Sequence, residues 1–122
     1  MKLIVVGYGR VGSRTARVLA EEGYEVVVVD TDHLKAERAR NQGVTVVEGD
    51  GTDEAVLREA GIESADAIGG ITGDVESNYE ICQLGSEHGC RTVMRISEDV
   101  PTDRYETYRA DCDEVIYPQR LG

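Results

Sequence analysis

The chain has no Phe and no Trp, and six Tyr carry all of its aromatic rings. Basic residues are scarce: 13 Lys and Arg, of which only Lys2 and Lys35 are lysine, stand against 24 acids, for a net charge of -11 over 122 residues. Such a surface repels nucleic acid and anionic lipid, so neither is an expected partner. Acid excess with little lysine resembles the proteins of salt-loving microbes, whose self-repulsion concentrated salt screens; an ordinary acidic cytosolic protein is the other reading. No apolar run exceeds strand length, so neither a membrane-spanning helix nor a secretory signal is expected. Cys82, Cys90 and Cys112 are odd in number and lack metal-ligand spacing. They read as reduced, buried thiols of a cytoplasmic protein, and no metal site is expected. The length suits one domain over residues 1–122 with one core. It leaves no room for a separate substrate domain, which counts against a complete dehydrogenase.

What is present is concentrated in the first thirty residues. Leu3, Ile4, Val5 and Val6 form a buried strand that ends at Gly7. Gly7-Tyr8-Gly9-Arg10-Val11-Gly12 spells G-x-G-x-x-G and opens a helix predicted over 10–22. A valine-rich strand over 25–29 then ends on Asp30. Strand, glycine turn, helix, strand and terminal acid compose one βαβ unit of the spacing that dinucleotides require. Gly7 permits the tight turn, Gly9 lets a pyrophosphate reach the backbone, and Gly12 lets the helix pack against the strand. The helix start turns unpaired N–H groups and a positive dipole end toward phosphate. Asp30 stands where a carboxylate accepts ribose hydroxyls. A turn of the same shape that binds nothing is the alternative.

The rest alternates strand and helix. Helices are expected over 33–41, 53–60, 75–88 and 101–109, and strands over 44–48, 65–71, 91–96 and 113–117, with Pro118 stopping the last. Thr31 or Asp32 can cap the helix that carries His33, an exposed histidine near the expected adenosine edge. Gly69 and Gly70 replace branched residues in a strand and imply a close approach to the backbone. Tyr105 and Tyr108 are expected to cover a core edge. Strands alternating with helices through short connections imply an α/β fold, a Rossmann-like doubly wound sheet of six parallel strands in the order 3-2-1-4-5-6 with helices on both faces. Ligands bind such sheets beyond the carboxyl ends of the strands. Gly7 to Gly12, Asp30, Asp50-Gly51-Thr52, Thr72-Gly73-Asp74 and Arg95 should therefore converge on one crevice. Asp74 can equally be a helix cap, and Arg95 can equally form an ion pair at a strand end.

These residues also carry a family resemblance. Gly7-Tyr8-Gly9-Arg10-Val11-Gly12, Val29-Asp30, Gly49-Asp50-Gly51-Thr52, Ala60-Gly61-Ile62, Ala65-Asp66-Ala67, Thr72-Gly73-Asp74 with Asn78, and Asp113-Glu114-Val115-Ile116-Tyr117-Pro118 follow in order along almost the whole chain. In this the chain resembles the N-terminal domain of the Trk potassium-uptake regulators, called KTN domains, or RCK domains when attached to potassium channels. The resemblance implies a non-enzymatic cytoplasmic domain that binds NAD(H), or ATP, ADP or AMP in the same site, and controls potassium flux. Its partner would be a membrane transporter or channel subunit that holds it at the inner face of the membrane without insertion. It further implies a homodimer, assembled into a ring, built around the helix over 75–88. By the same resemblance Asp30, with Thr31 beside it, holds the adenosine ribose, and the Asp50 loop lies beside adenine. Thr72, Asp74, Asn78 and Arg95 belong near the phosphates or second ribose. Gly69-Gly70 departs from the larger apolar residues usual in such sequences. Full-length members continue into a crossover helix and a small ligand domain.

The alternative function is the cofactor-binding part of an NAD-dependent oxidoreductase, which would need a placed acid, base or nucleophile. Asp74, Arg95 and Cys82 are the only candidates, and they form no recognisable constellation.

Overall fold

The computed structural model describes residues 1–117; the expected stop at Pro118 lies outside the described residues. The strands are β1 Lys2–Val6, β2 Glu25–Asp30, β3 Thr45–Glu48, β4 Ala67–Gly70, β5 Arg91–Arg95 and β6 Glu114–Ile116, all parallel, in the order β3-β2-β1-β4-β5-β6. The helices are α1 Arg10–Glu21, α2 His33–Asn41, α3 Glu54–Glu59, α4 Val75–Glu87 and α5 Thr102–Asp111. The expected doubly wound α/β fold is therefore the observed one.

Central strands covered on both faces read as continuous apolar runs. Val5 and Val28 pack with Tyr8, Ala16 of α1 and Ala39 of α2 on one side. Ile4, Val6, Val27 and Val29 pack with Leu57 of α3, Ile62, Ile68 and Ile81 of α4 on the other. A third cluster of Cys82, Met94, Ile96, Tyr108 and Cys112 joins α4 and α5 to the outer strands. Tyr108 is buried there and Tyr105 packs against it partly exposed, so both tyrosines do cover a core edge.

Two stretches differ from the sequence expectation. Ile62–Ser64 forms a 3-10 turn that had no signal of its own, and β4 is shorter than the 65–71 span. Backbone bonding to β1 nonetheless extends from residue 66 to residue 71, since Asp66 N donates to Lys2 O at 2.8 Å and Ile71 N to Val6 O at 2.9 Å. Pro101 sits one position before α5, at its N-cap, rather than within the first turn.

Of Gly69-Gly70, the second glycine has a clear cause, while a Cβ at Gly69 would meet the Ile71 side chain at 3.3 Å. A Cβ at Gly70 would stand 2.8 Å from both Cα and O of Asn78, and one at Gly85 would stand 2.3 Å from Ile68 Cγ2. The close neighbour is α4 itself, which lies against β4 through a glycine on each element. Ile81 and Gly85 are thereby spent on the sheet, and Leu84 packs partly buried beside them.

All three cysteines are free and buried. The neighbouring Cys112 thiol, together with burial, holds the Cys82 thiol above its ordinary value, and burial raises Cys90. No cluster of metal-ligating side chains occurs among the described residues. No helix of the described residues is long and apolar enough to cross a membrane.

Candidate functional site

β1 and β4 are neighbours, yet the loop after β1 leads to α1 on one face and the loop after β4 leads to α4 on the other. That divergence opens a crevice of about 390 Å³ at the carboxyl ends of the strands. Of the residues singled out by sequence, Gly7, Tyr8, Gly9, Asp30, Thr31, Asp50, Gly51, Thr52, Thr72, Gly73, Asp74 and Arg95 line it. Arg10, Val11, Gly12 and Asn78 do not.

The glycine loop is built as its spacing implies. Gly7 has φ +110°, a conformation that side chains rarely adopt, and its amide donates to Val29 O at 2.7 Å. A Cβ at Gly9 would meet nothing within 4 Å, so the backbone there faces open crevice. Gly12 lies beneath the loop, where a Cβ would stand 1.9 Å from the Gly7 carbonyl oxygen. It sets how closely α1 sits against the turn without touching the crevice.

Asp30 is fixed by two backbone amides: Oδ2 accepts from Tyr8 N at 2.7 Å and Oδ1 from Asp32 N at 2.8 Å. Its carboxylate thus clamps the glycine loop to the end of β2. Tyr8 extends the clamp. Its carbonyl accepts from Arg38 of α2 at 2.9 Å, and its buried hydroxyl donates to Gln42 just past α2. The amide, carbonyl and hydroxyl of Tyr8 are thus all engaged within the protein, and Tyr8 shapes the loop that borders the crevice.

Asp50 closes a tight turn, with Oδ1 accepting from Thr52 N at 2.9 Å and Thr52 Oγ1 at 2.7 Å. The backbone bond first, then the hydroxyl, holds this carboxyl below its ordinary value, so it is anionic. On the opposite wall Asn78 is fully buried and uses its whole amide. Its Oδ1 accepts from Thr72 N at 2.9 Å and Thr72 Oγ1 at 2.6 Å, while Nδ2 donates to Thr72 O and Arg95 O, each at 3.0 Å. Asn78 ties the ends of β4 and β5 together behind the crevice wall. Asp74 occupies the N-cap of α4 without capping it; its Oδ2 accepts from Ser77 Oγ at 2.6 Å.

Arg95 makes no ion pair with any described residue, although acids outnumber bases nearly two to one. The strand-end ion pair is thus not what occupies it. Sequence reasoning missed two polar lining residues, Lys35 and Ser77. Lys35 lies in the first turn of α2, immediately beyond Asp30, and likewise makes no ion pair among the described residues. Ala36 and Ala39 are buried, which rotates α2 so that Lys35 borders the crevice, and no sequence signal announced it. His33 is exposed and outside the lining; its Nδ1 lies 2.9 Å from Glu48 Oε1, and that hydrogen bond raises its pKa. His88, at the opposite end of α4, contacts Glu54. Cys82 is buried in the core with its thiol donating to Val93 O at 3.2 Å, so it too lies outside the crevice.

The arrangement offers a bare glycine loop and two cations without an ion pair among the described residues, one on each side of it, with a fixed carboxylate at the β2 end. Those features fit an extended anion with a ribose at one end.

Residues 3–118 match the model of the TrkA-N domain family. A Trk system potassium uptake protein TrkA homolog of Pyrococcus abyssi is 35% identical over 101 residues, covering 80% of this chain and 44% of that protein. A Trk system potassium uptake protein TrkA of Streptomyces coelicolor is 35% identical over 123 residues, covering 100% of this chain and 50% of that protein. The chain thus spans about half the length of these relatives. Among solved structures, the NAD(P)-binding domain of an exopolyphosphatase-related protein from Archaeoglobus fulgidus superposes with TM-score 0.80 at 27% identity, covering 94% of this chain and 86% of that one. Two more distant structures show the same fold. The Kef C-terminal domain of Shewanella denitrificans, in AMP-bound form, has TM-score 0.75 at 22% identity, covering 97% of this chain and 72% of that one. The GsuK channel bound to NAD has TM-score 0.69 at 21% identity, covering 94% of this chain and 21% of that one.

Proposed function

This chain belongs to the TrkA-N domain family, and from that premise we infer that it is a single cytoplasmic regulatory domain that binds NAD(H) or an adenine nucleotide. Its output is control of potassium transport through a membrane transporter or channel subunit, and it works as a homo-oligomer. The observation that carries the reading is the crevice itself. An open glycine backbone at Gly9 lies between two cations, Lys35 and Arg95, that have no carboxylate partner among the described residues of this acid-rich chain. Phosphates are the groups that such a site neutralises, through backbone N–H groups, the α1 dipole and guanidinium contacts. The NAD of the GsuK structure and the AMP of the Kef structure support the choice of ligand.

In this assignment Gly9 presents open backbone to the pyrophosphate, Gly7 and Tyr8 hold the turn through their bonds to Val29 and Asp30, and Gly12 seats the helix behind them. Asp30 accepts the adenosine ribose hydroxyls beside Thr31, while Asp50, Gly51 and Thr52 border the adenine. Thr72, Gly73, Asp74 and Arg95 face the far phosphate or second ribose, with Asn78 as their support. A dinucleotide spans both halves of the sheet, whereas a mononucleotide engages mainly the first, and that difference is what a partner can read. Against the oxidoreductase reading, Cys82 lies in the core outside the crevice, and Asp74, which lines it, accepts a hydrogen bond from Ser77.

Titration calorimetry tests ligand choice. The Asp30 carboxylate disfavours a phosphate on the ribose it holds, so NADH binds more tightly than NADPH. Tighter binding of NADPH contradicts the assignment of Asp30.

A further inference from the structure

Asp30 is the residue expected to exclude a 2′-phosphate, yet two features of the structure oppose a strict exclusion. Both carboxylate oxygens already accept charge-assisted bonds, from Tyr8 N and Asp32 N, which offset part of the negative field at that edge. Lys35 lines the same crevice from the first turn of α2. Its backbone amide is taken by the Asp32 cap at 3.2 Å, but its ammonium makes no ion pair with any described residue. Asp32 spends Oδ1 on the amides of Leu34 and Lys35, and Glu48 faces His33 and Arg40, so neither acid takes the ammonium. A half-buried cation with no ion pair among the described residues of so acidic a chain is suited to receive an anion.

We propose that Lys35 is a specificity-determining residue, which receives a phosphate carried on the adenosine ribose and so admits 2′-phosphorylated adenine nucleotides beside NAD(H). The inference rests on the nucleotide assignment of the crevice. Arg95 serves the opposite wall, and the 5′-linked phosphates lie between the two at the glycine loop. Lys35 therefore acts on the ribose edge and leaves the remaining contacts to the loop and Arg95.

The test uses 5′-AMP and adenosine 2′,5′-bisphosphate, which differ only in the 2′-phosphate, measured by calorimetry on the whole chain. The wild type binds the bisphosphate within about tenfold of AMP, and Lys35→Gln widens that ratio by about tenfold or more, the loss expected for one charge-assisted bond. Lys35→Arg restores the ratio. Thermal melting of each variant establishes that it is folded. The wild type supplies a second readout: bisphosphate affinity falls more steeply with added KCl than AMP affinity does. A wild type that rejects the bisphosphate by more than tenfold overturns the proposal. So does a ratio unmoved in Lys35→Gln, or parallel salt dependence of the two ligands. If neither AMP nor NADH binds the wild type, the nucleotide assignment itself fails, which is a different result from any of these.

Discussion

Gly12→Ala and Gly9→Ala separate the structural glycine of the loop from its ligand-facing one. A methyl at Gly12 would stand 1.9 Å from the Gly7 carbonyl oxygen, a backbone atom that cannot rotate away. Either α1 must lift off the turn or the turn must give up its bond to Val29 O. Overpacking of this kind costs about 3 kcal/mol. For a domain of this size that lowers Tm by roughly 10 °C. A methyl at Gly9 meets nothing within 4 Å, and the residue has φ -80°, ψ -158°, which alanine adopts freely. Gly9→Ala therefore melts within a few degrees of the wild type but loses nucleotide affinity, because the methyl stands where phosphate approaches. Thermal melting and calorimetry on both variants check this. Equal melting temperatures for the two would contradict the packing argument, and undiminished affinity in Gly9→Ala would contradict the placement of the phosphate.

Asn78→Ala is expected to have an effect of the same size from the other wall. The side chain is fully buried and makes four hydrogen bonds, so truncation leaves the part-buried Thr72 N, Thr72 O and Arg95 O without this partner. Unsatisfied buried groups cost about 1–3 kcal/mol each, and with partial relaxation a total near 3 kcal/mol is expected. Asn78→Asp distinguishes the two halves of the amide. It keeps the acceptor for Thr72 but replaces the donor to two carbonyls with a charge, so it destabilises as well. Urea denaturation measures the loss. A change below about 0.5 kcal/mol, the size expected of an ordinary surface substitution, would mean that the tie between β4 and β5 is not what holds the wall.

The sequence made the sheet order, the strand ends and the crevice legible because each rests on local chemistry. Valine-rich runs mark β1 and β2, Gly7 and Gly12 mark a turn beneath a helix, and parallel order follows from alternation and handedness. What it did not disclose depends on how elements rotate against one another. Lys35 enters the crevice because Ala36 and Ala39 face the sheet, and a charged helix residue gives no sign of that beforehand. Asn78 matched a motif that suggested ligand contact, yet its amide is spent on Thr72 and Arg95 backbone, a pairing between residues distant in sequence. Gly69-Gly70 announced a close approach without naming the neighbour, which is Asn78 of α4 at Gly70 and the Ile71 side chain at Gly69. The tyrosine edge carries similar long-range ties: the Tyr79 hydroxyl, bonded to Asp111, has its pKa pushed up to about 12 by that carboxylate. The same chemistry fixes α5 against α4 through Tyr108 and Glu76, whose Oε1 lies 2.9 Å from the Tyr108 hydroxyl.

The most direct test of the account is calorimetric titration of NADH into the wild type and into Asp30→Ala and Arg95→Ala variants, which sit at opposite ends of the crevice. The account predicts saturable binding to the wild type at one site per chain. It also predicts a loss of about tenfold or more in each variant, since each removes one end of the ligand's hold. NADH binding that is absent in the wild type, or that survives undiminished in both variants, would contradict it.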